Sequence, residues 1–315
     1  MRNAIIAATL LAAVLCGESA AADPALTGLI MPDAKVVGGI SLVQAKATPF
    51  GRFVLGRLTS EEKGFQELLA ATGFDPRRDL VEIVFASSGD PGSMEGLVLA
   101  RGAFDPVRIG ALIRGAGKAP ETYQGVEIYS GKQDSRGLAF LDSTTAVAGE
   151  IDLLKAVIDR RAKPTVLDPT VSARIASLSA NQQVWALTVA PVANFSAQAP
   201  DPKIGGLLQG DLFKSIEYAG AGFQFGESVL FKAEALTHTE KDASAMADAL
   251  RFLANLAAMQ GGKNAGAQFV QFLQAVKLAS AGNTVTITAE MPEAEFEKLF
   301  AQKDVLPAKP AAEQR

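Results

Sequence analysis

The apolar and polar positions divide the chain into short alternating runs and longer runs of helical period. From Lys35 to Val43 the residues are β-branched and apolar, which predicts a buried strand. Helical period follows from Thr48 to Thr72, with Gly73 placed as the C-terminal stop. Leu80 to Ser88 alternates, Val81, Ile83 and Phe85 facing one way and Glu82 and Val84 the other. The turn residues Gly89-Asp90-Pro91-Gly92 separate this strand from a second one, Gly96 to Gly102. Asp105-Pro106 then opens a helix with a good N-cap and proline at its first position. Strands at Tyr123 to Tyr129, Gly137 to Leu141 and Thr144 to Ala148 come next, before a helix from Ile151 to Arg161.

Ala162 to Pro169 holds two prolines and no period, so it is the best internal boundary. Beyond it a similar order returns. A strand at Val184 to Val189 leads through helical pieces to a pair at Ile216 to Phe225 and Ser228 to His238; the second presents Val229, Phe231, Ala233 and Ala235 on one face. A helix from Lys241 to Met259 carries the stripe Met246, Leu250, Leu253 and Leu256 and is expected to break at Gly261-Gly262. A further helix bears Phe269, Phe272, Leu273 and Val276. Strand pattern resumes at Thr284 to Glu290, and Pro292 opens a last helix through Phe300. Connections between neighbouring strands are too short for parallel crossovers. The fold class expected is α+β, with two similar halves, 23–162 and 163–303, each a mostly antiparallel sheet packed by helices. The repeated order reads as an internal duplication, against the alternative that an α+β chain of this length falls into such an order by chance. Residues 304–315, with Pro307, Pro310 and several alanines, are expected to be a disordered tail.

The first residues change the picture of where this chain works. A short positive start with Arg2, an apolar run from Ala4 to Cys16 and small residues from Ser19 to Ala22 have the layout of a cleavable secretion signal, 1–22, with its site at Ala20-Ala21-Ala22. The run is shorter than the roughly 20 residues a membrane span needs. A retained anchor or a lipid-modified Cys16 are the competing readings; Val14 and Leu15 before the cysteine argue against the second. Cleavage removes the single cysteine, and the net charge of −4 survives because Arg2 and Glu18 leave together. The mature chain, expected in the periplasm or outside the cell, must hold together by packing alone. Roughly 290 residues suffice for that. Lysine and arginine are scattered, so nucleic-acid binding is not expected, and no integral membrane segment remains after cleavage.

Met31-Pro32-Asp33-Ala34-Lys35-Val36-Val37, Pro49-Phe50-Gly51, Gly73-Phe74-Asp75-Pro76-Arg77-Arg78-Asp79-Leu80 and Ala139-Phe140-Leu141-Asp142 leading to Ala148-Gly149 together resemble a group of exported bacterial proteins of unknown function. The resemblance implies export and an α+β fold. It implies no activity, ligand or site residue.

Candidate chemistry is sparse. His238 is the only histidine, so sites built on two histidines are excluded and any triad must use it. It shares the polar strand face with Lys232 and Glu234, where a solvated strand end explains it. Ser60-Glu61-Glu62-Lys63 matches the S-x-x-K of penicillin-recognising enzymes, but without the companion motifs helix capping accounts for the same letters. Gly220, Gly222 and Gly226 are followed by strand, not helix, and Gly115-Ala116-Gly117-Lys118 lacks the phosphate-loop spacing, so both read as turns or tight strand crossings. Proline follows Asp23, Asp75, Asp90, Asp105, Asp168 and Asp201, which marks caps and turns. Trp185 and the phenylalanines of the helices read as core.

No catalytic, cofactor-binding or metal-binding residue is assigned, and no cofactor is expected. Two function classes stand. The first is a non-enzymatic exported binding or interaction module whose partner is a protein or an apolar ligand; the second is a carboxylate-dependent hydrolase. They differ in geometry: converging titratable groups for the enzyme, an apolar groove without them for the binding module.

Overall fold

The structure, a computed structural model, describes residues 21–59, 63–90, 95–115, 119–130, 135–198, 206, 209–264 and 274–301. The expected secretion signal (apart from Ala21 and Ala22), Ser60 to Glu62, the phenylalanines at 269 and 272 and the expected tail lie outside the described residues.

Aspartate–proline pairs start helices as expected. In α1 (Pro24–Thr27) the Asp23 carboxylate accepts from the Ala25 N–H. After strand β1 (Val36–Ser41), Ser41 caps α2 (Leu42–Ala47), so the strand stops two residues before the expected Val43. Thr48 then closes α2 in extended backbone, and its Oγ1 accepts from Gly51 N–H in α3 (Pro49–Thr59). The helix expected from Thr48 to Thr72 is described as α3 and α4 (Lys63–Thr72), with residues 60–62 between them outside the described residues, and Asp75 caps α5 (Pro76–Asp79).

Strands β2 (Leu80–Ser87) and β3 (Gly96–Gly102) form a hairpin, followed by α6 (Pro106–Gly115). The expected strand from Tyr123 is two, β4 (Glu121–Tyr123) and β5 (Val126–Ser130), because Gln124 and Gly125 turn with φ of 45° and 78°. Then come β6 (Arg136–Phe140), β7 (Thr145–Glu150), α7 (Ile151–Arg160) and α8 (Pro169–Asn181), the last capped by Asp168 through the N–H groups of Thr170 and Val171.

The remainder comprises β8 (Val184–Thr188), a 3₁₀ segment (Val192–Gln198), α9 (Asp211–Lys214), β9 (Ile216–Gln224) and β10 (Ser228–Thr237). Helix α10 (Glu240–Asn264) follows and runs through Gly261-Gly262 instead of breaking there. Strand β11 (Lys277–Ala281) had no signal in the pattern and hairpins with β12 (Thr284–Pro292) before α11 (Glu293–Ala301).

All described strands join in one 12-stranded antiparallel sheet, not two, in the order β11-β12-β10-β9-β8-β1-β2-β3-β7-β6-β5-β4. The first strands of the two expected halves meet at its centre, with Val37 opposite Leu187. One face is the packed face. Val37, Val84, Leu97, Leu99, Val147, Trp185 and Leu187 are buried there against Leu26, against Leu154, Val157 and Ile158 of α7, and against Ile175 and Leu178 of α8. Trp185 is core, as the sequence suggests, its indole lying over Gly39.

The other face is also apolar, yet only partly covered. Phe50, Val229, Met291 and Phe296 form one cluster there, and Ala243, Met246, Ala247 and Val285 another. The Glu293 carboxylate, buried, accepts the Phe50 N–H and so ties α11 to the start of α3. On the first half of this face Val81, Phe85 and Val98 stay 36–44% exposed. Phe252 of α10 is 67% exposed, so the helix phenylalanines are not uniformly core.

Candidate functional site

Alternation puts small residues on one face of three adjacent strands. Ala186 of β8 lies opposite Ala221 of β9, which lies opposite Ala233 of β10; in the next row Thr188, Ala219 and Ala235 are neighbours in the same way. Gly38 extends the first row on β1, and Ile287 and Val285 of β12 bound the two rows. A methyl group rises far less from a sheet than a leucine or phenylalanine does. A helix crossing such a floor at ordinary distance leaves space beneath it.

That space is a cavity of about 420 Å³. The alanines are its floor, Val285 and Ile287 one wall, Met246 and Leu250 of α10 its roof, and Val192, Phe195, Phe213 and Val36 the remaining surround. The side chains that carry polar atoms along it are Thr188 and Glu234. Glu234 is directed to the packed face, where Arg174 holds it at 2.9 Å. The volume falls within the range typical of small-molecule sites, whose linings are mostly apolar.

Carboxylates do not converge in this cavity. They are paired elsewhere: Asp75 with Arg77 at 2.8 Å, Asp23 with Arg101 at 2.6 Å, Glu127 with Arg114 at 2.8 Å and Glu150 with Arg136 at 3.0 Å. The Arg77 hydrogen bond holds Asp75 below the usual carboxylate range, and Arg78 does the same for Asp79. Glu82 is the exception. Burial pushes its carboxyl up, but it faces Asp23 and Arg101 and not the cavity. Among the described residues no group of three or more histidine, cysteine or acidic side chains is placed to hold a metal ion.

Residues singled out in the sequence are scattered. His238 follows the end of β10, is 56% exposed, and lies 3.7 Å from Glu217. Gly220 and Gly222 sit inside β9, pressed by the Tyr218 hydroxyl and the Gln182 amide, as a tight strand crossing would have it; Gly226 is in the β9–β10 turn. Gly115 ends α6, and residues 116–118 lie outside the described residues, as does Asp201. The alanine floor was visible in part, since Ala233 and Ala235 share a face in the pattern. What it lacked was the cross-strand register that sets Ala186, Ala219 and Ala221 beside them.

No protein family and no curated protein matches the chain by sequence. Its fold is similar to solved structures of TP0453, a protein of the bacterium Treponema. Crystal form III matches with a TM-score of 0.52 at 10% identity, covering 87% of this chain and 97% of that one. Crystal form IV matches with a TM-score of 0.50 at 10% identity, covering 90% and 98%. At such identity the likeness is one of fold alone. It gives the resemblance to bacterial proteins weak support and says nothing of what this chain binds. No described helix is long and apolar enough to cross a membrane.

Proposed function

We propose that this protein is a non-enzymatic binding protein of the periplasm, and that it holds an apolar ligand in the cavity between α10 and the alanine floor. The observation that carries the reading is the floor itself. Two cross-strand rows of alanine leave about 420 Å³ of apolar space under a helix that buries Met246, where an ordinary core would place leucine or phenylalanine. The pairing of Asp23, Asp75, Glu127 and Glu150 with arginines away from the cavity favours this over a hydrolase.

The test fills the cavity. Fluorescence titration of the purified mature chain with cis-parinaric acid should saturate, and Ala221→Phe and Ala233→Phe should each weaken binding at least about tenfold, since each loses several methylenes' worth of apolar contact. Phe252→Ala, on the exposed side of α10, should bind as the parent does. Binding that is absent in the parent, or unchanged in both phenylalanine variants, sinks the reading.

Export is part of the proposal. Asp23, the first residue after the expected cleavage site, is docked on Arg101 at 2.6 Å, so a chain beginning there keeps that contact while the Ala22 N–H bond to Ser179 Oγ leaves with the signal. N-terminal sequencing of the secreted form should begin between Ala21 and Asp23; another start removes the signal assignment. The strand order supports the duplication too, because β1-β2-β3-β7 and β8-β9-β10-β12 run outward from the central pair in the same way. Superposing 36–160 on 184–301 should bring α6 onto α10, and a mismatch there would set the duplication aside.

A further inference from the structure

On the packed face, Glu82 of β2 and Arg101 of β3 are cross-strand partners, and both reach Asp23. They hold it in different ways. Arg101 donates from Nη2 and Nε to the Asp23 carboxylate at 2.6 and 2.8 Å, and its Nη1 is fixed by the Thr144 and Thr145 hydroxyls at 3.1 and 2.9 Å. Glu82 instead accepts the Asp23 backbone N–H at 3.1 Å. Because the guanidinium beside it is taken by Asp23, Glu82 is a half-buried carboxylate with no ion pair among the described residues.

Burial pushes the Glu82 carboxyl up, and the Asp23 N–H offsets only part of this. The charged groups that face it are the Asp23 carboxylate, which opposes its ionisation, and Arg101, which favours it more weakly. What Glu82 lacks is a cation, and the atom it touches is the nitrogen of the first residue after the expected cleavage site.

We propose that Glu82 is the receptor for the α-ammonium group that signal cleavage creates on Asp23, so that processing completes an ion pair in the fold. The inference rests on the export reading for the cut itself and adds what the cut does to the folded chain. Hydrolysis of the Ala22–Asp23 peptide bond takes up one water. Its oxygen goes to the Ala22 carbonyl carbon, which leaves as a carboxylate, and both hydrogens end on the Asp23 nitrogen as ammonium. That nitrogen does not need Ala22 to stay in place, since Asp23 is fixed by its side chain, Oδ1 accepting from the Ala25 N–H at 2.8 Å and Oδ2 held by Arg101. Ser179, which loses the Ala22 N–H, keeps its own bond to the Ile175 carbonyl at 2.7 Å. With Ala22 attached Glu82 opposes the fold; in the processed chain it supports it.

The test compares a purified chain beginning at Asp23 with one beginning at Ala21, each released from a fusion partner at the chosen bond, so that it does not depend on where the cell cuts. Trace acylation of the α-amino group with acetic anhydride, followed across pH by mass spectrometry of the N-terminal peptide, reads its pKa. In the Asp23 form the midpoint should lie at least about one pH unit above the ordinary α-amino range of roughly 7.7–8.0, and Glu82→Gln, which keeps the shape, should bring it down by about that unit. In the Ala21 form the substitution should leave the midpoint unchanged. An amine whose pKa is raised in the fold contributes stability that is complete below its ordinary range and is lost as pH rises through the folded value. At pH 7, therefore, Glu82→Gln should lower the folded-to-unfolded ratio in urea at least about threefold in the Asp23 form and raise it in the Ala21 form. Equal midpoints in parent and Glu82→Gln, or a gain in both forms, overturn the site and leave export untouched. A secreted chain that N-terminal sequencing finds to begin at Ala21 or Ala22 overturns the assignment of this pair to the processed protein and leaves export standing.

Discussion

Ala221 and Gly222 are neighbours on β9 and face opposite sides of the sheet. Both are small, for opposite reasons. Beside Ala221 stand Ala186 and Ala233, and a cavity opens above all three. Above Gly222 the space is occupied, because a Cβ would come within 2.1 Å of Gln182 Oε1 and 2.4 Å of the Val184 carbonyl oxygen. At Gly222 the small residue answers a close approach of other atoms; at Ala221 it leaves a void. A residue's size has meaning only with the atoms opposite it.

The comparison can be broken from either side. The largest effect is expected on the packed face from Leu154→Ala, a fully buried site, which should lower unfolding free energy in urea by about 3 kcal/mol. If it costs under about 1 kcal/mol, the core is less tightly packed than the clusters imply. Gly222→Ala should cost about 2 kcal/mol, since a backbone oxygen cannot give way as a side-chain end can. Ala221→Val adds more atoms one residue away and should change stability by less than about 1 kcal/mol, because it fills space. Equal losses in the two would mean that the faces do not differ.

The smallest expected effect is electrostatic. Burial raises the folded-state pKa of Glu82, so the charged form is disfavoured in the fold. That cost is present at pH 7 and vanishes as pH falls below the ordinary glutamate range, where the group is protonated in both states. In a chain that keeps Ala22, Glu82→Gln should therefore gain a few tenths of a kcal/mol or more at pH 7 relative to the parent and nothing near pH 4. Asp142 and Glu150 have the opposite sign: their hydrogen bonds hold them low, and the stability they contribute is lost on acidification. A Glu82→Gln gain that persists undiminished at pH 4 would contradict this assignment.

Helix starts were legible because an aspartate before a proline has few other uses, and Asp23, Asp75 and Asp168 each accept N–H groups of the turn they begin. Strand alternation was legible in Leu80 to Ser88, but which of its faces is the core was not. The pattern separated Val81, Ile83 and Phe85 from Glu82 and Val84 without choosing between the faces, and it is Val84 and Ala86 that are buried. Both faces of the central strands are apolar, and only the helices above them distinguish core from groove. The turn at Gln124-Gly125 and strand β11 escaped notice for local reasons. One has a single glycine as its signal, and Lys277 to Ala281 is mostly exposed, so its pattern shows no buried side.

What the sequence determined by itself was local: caps, turns, the antiparallel α+β character that short connections enforce, and, with a single histidine, the exclusion of any site built on two. Those features depend on neighbours within a few residues. The single sheet and the alanine floor were decided by tertiary structure. Each arises between residues as far apart in sequence as Gly38, Ala186, Ala221 and Ala233, and strand register, which no local pattern records across such distances, is what places them side by side.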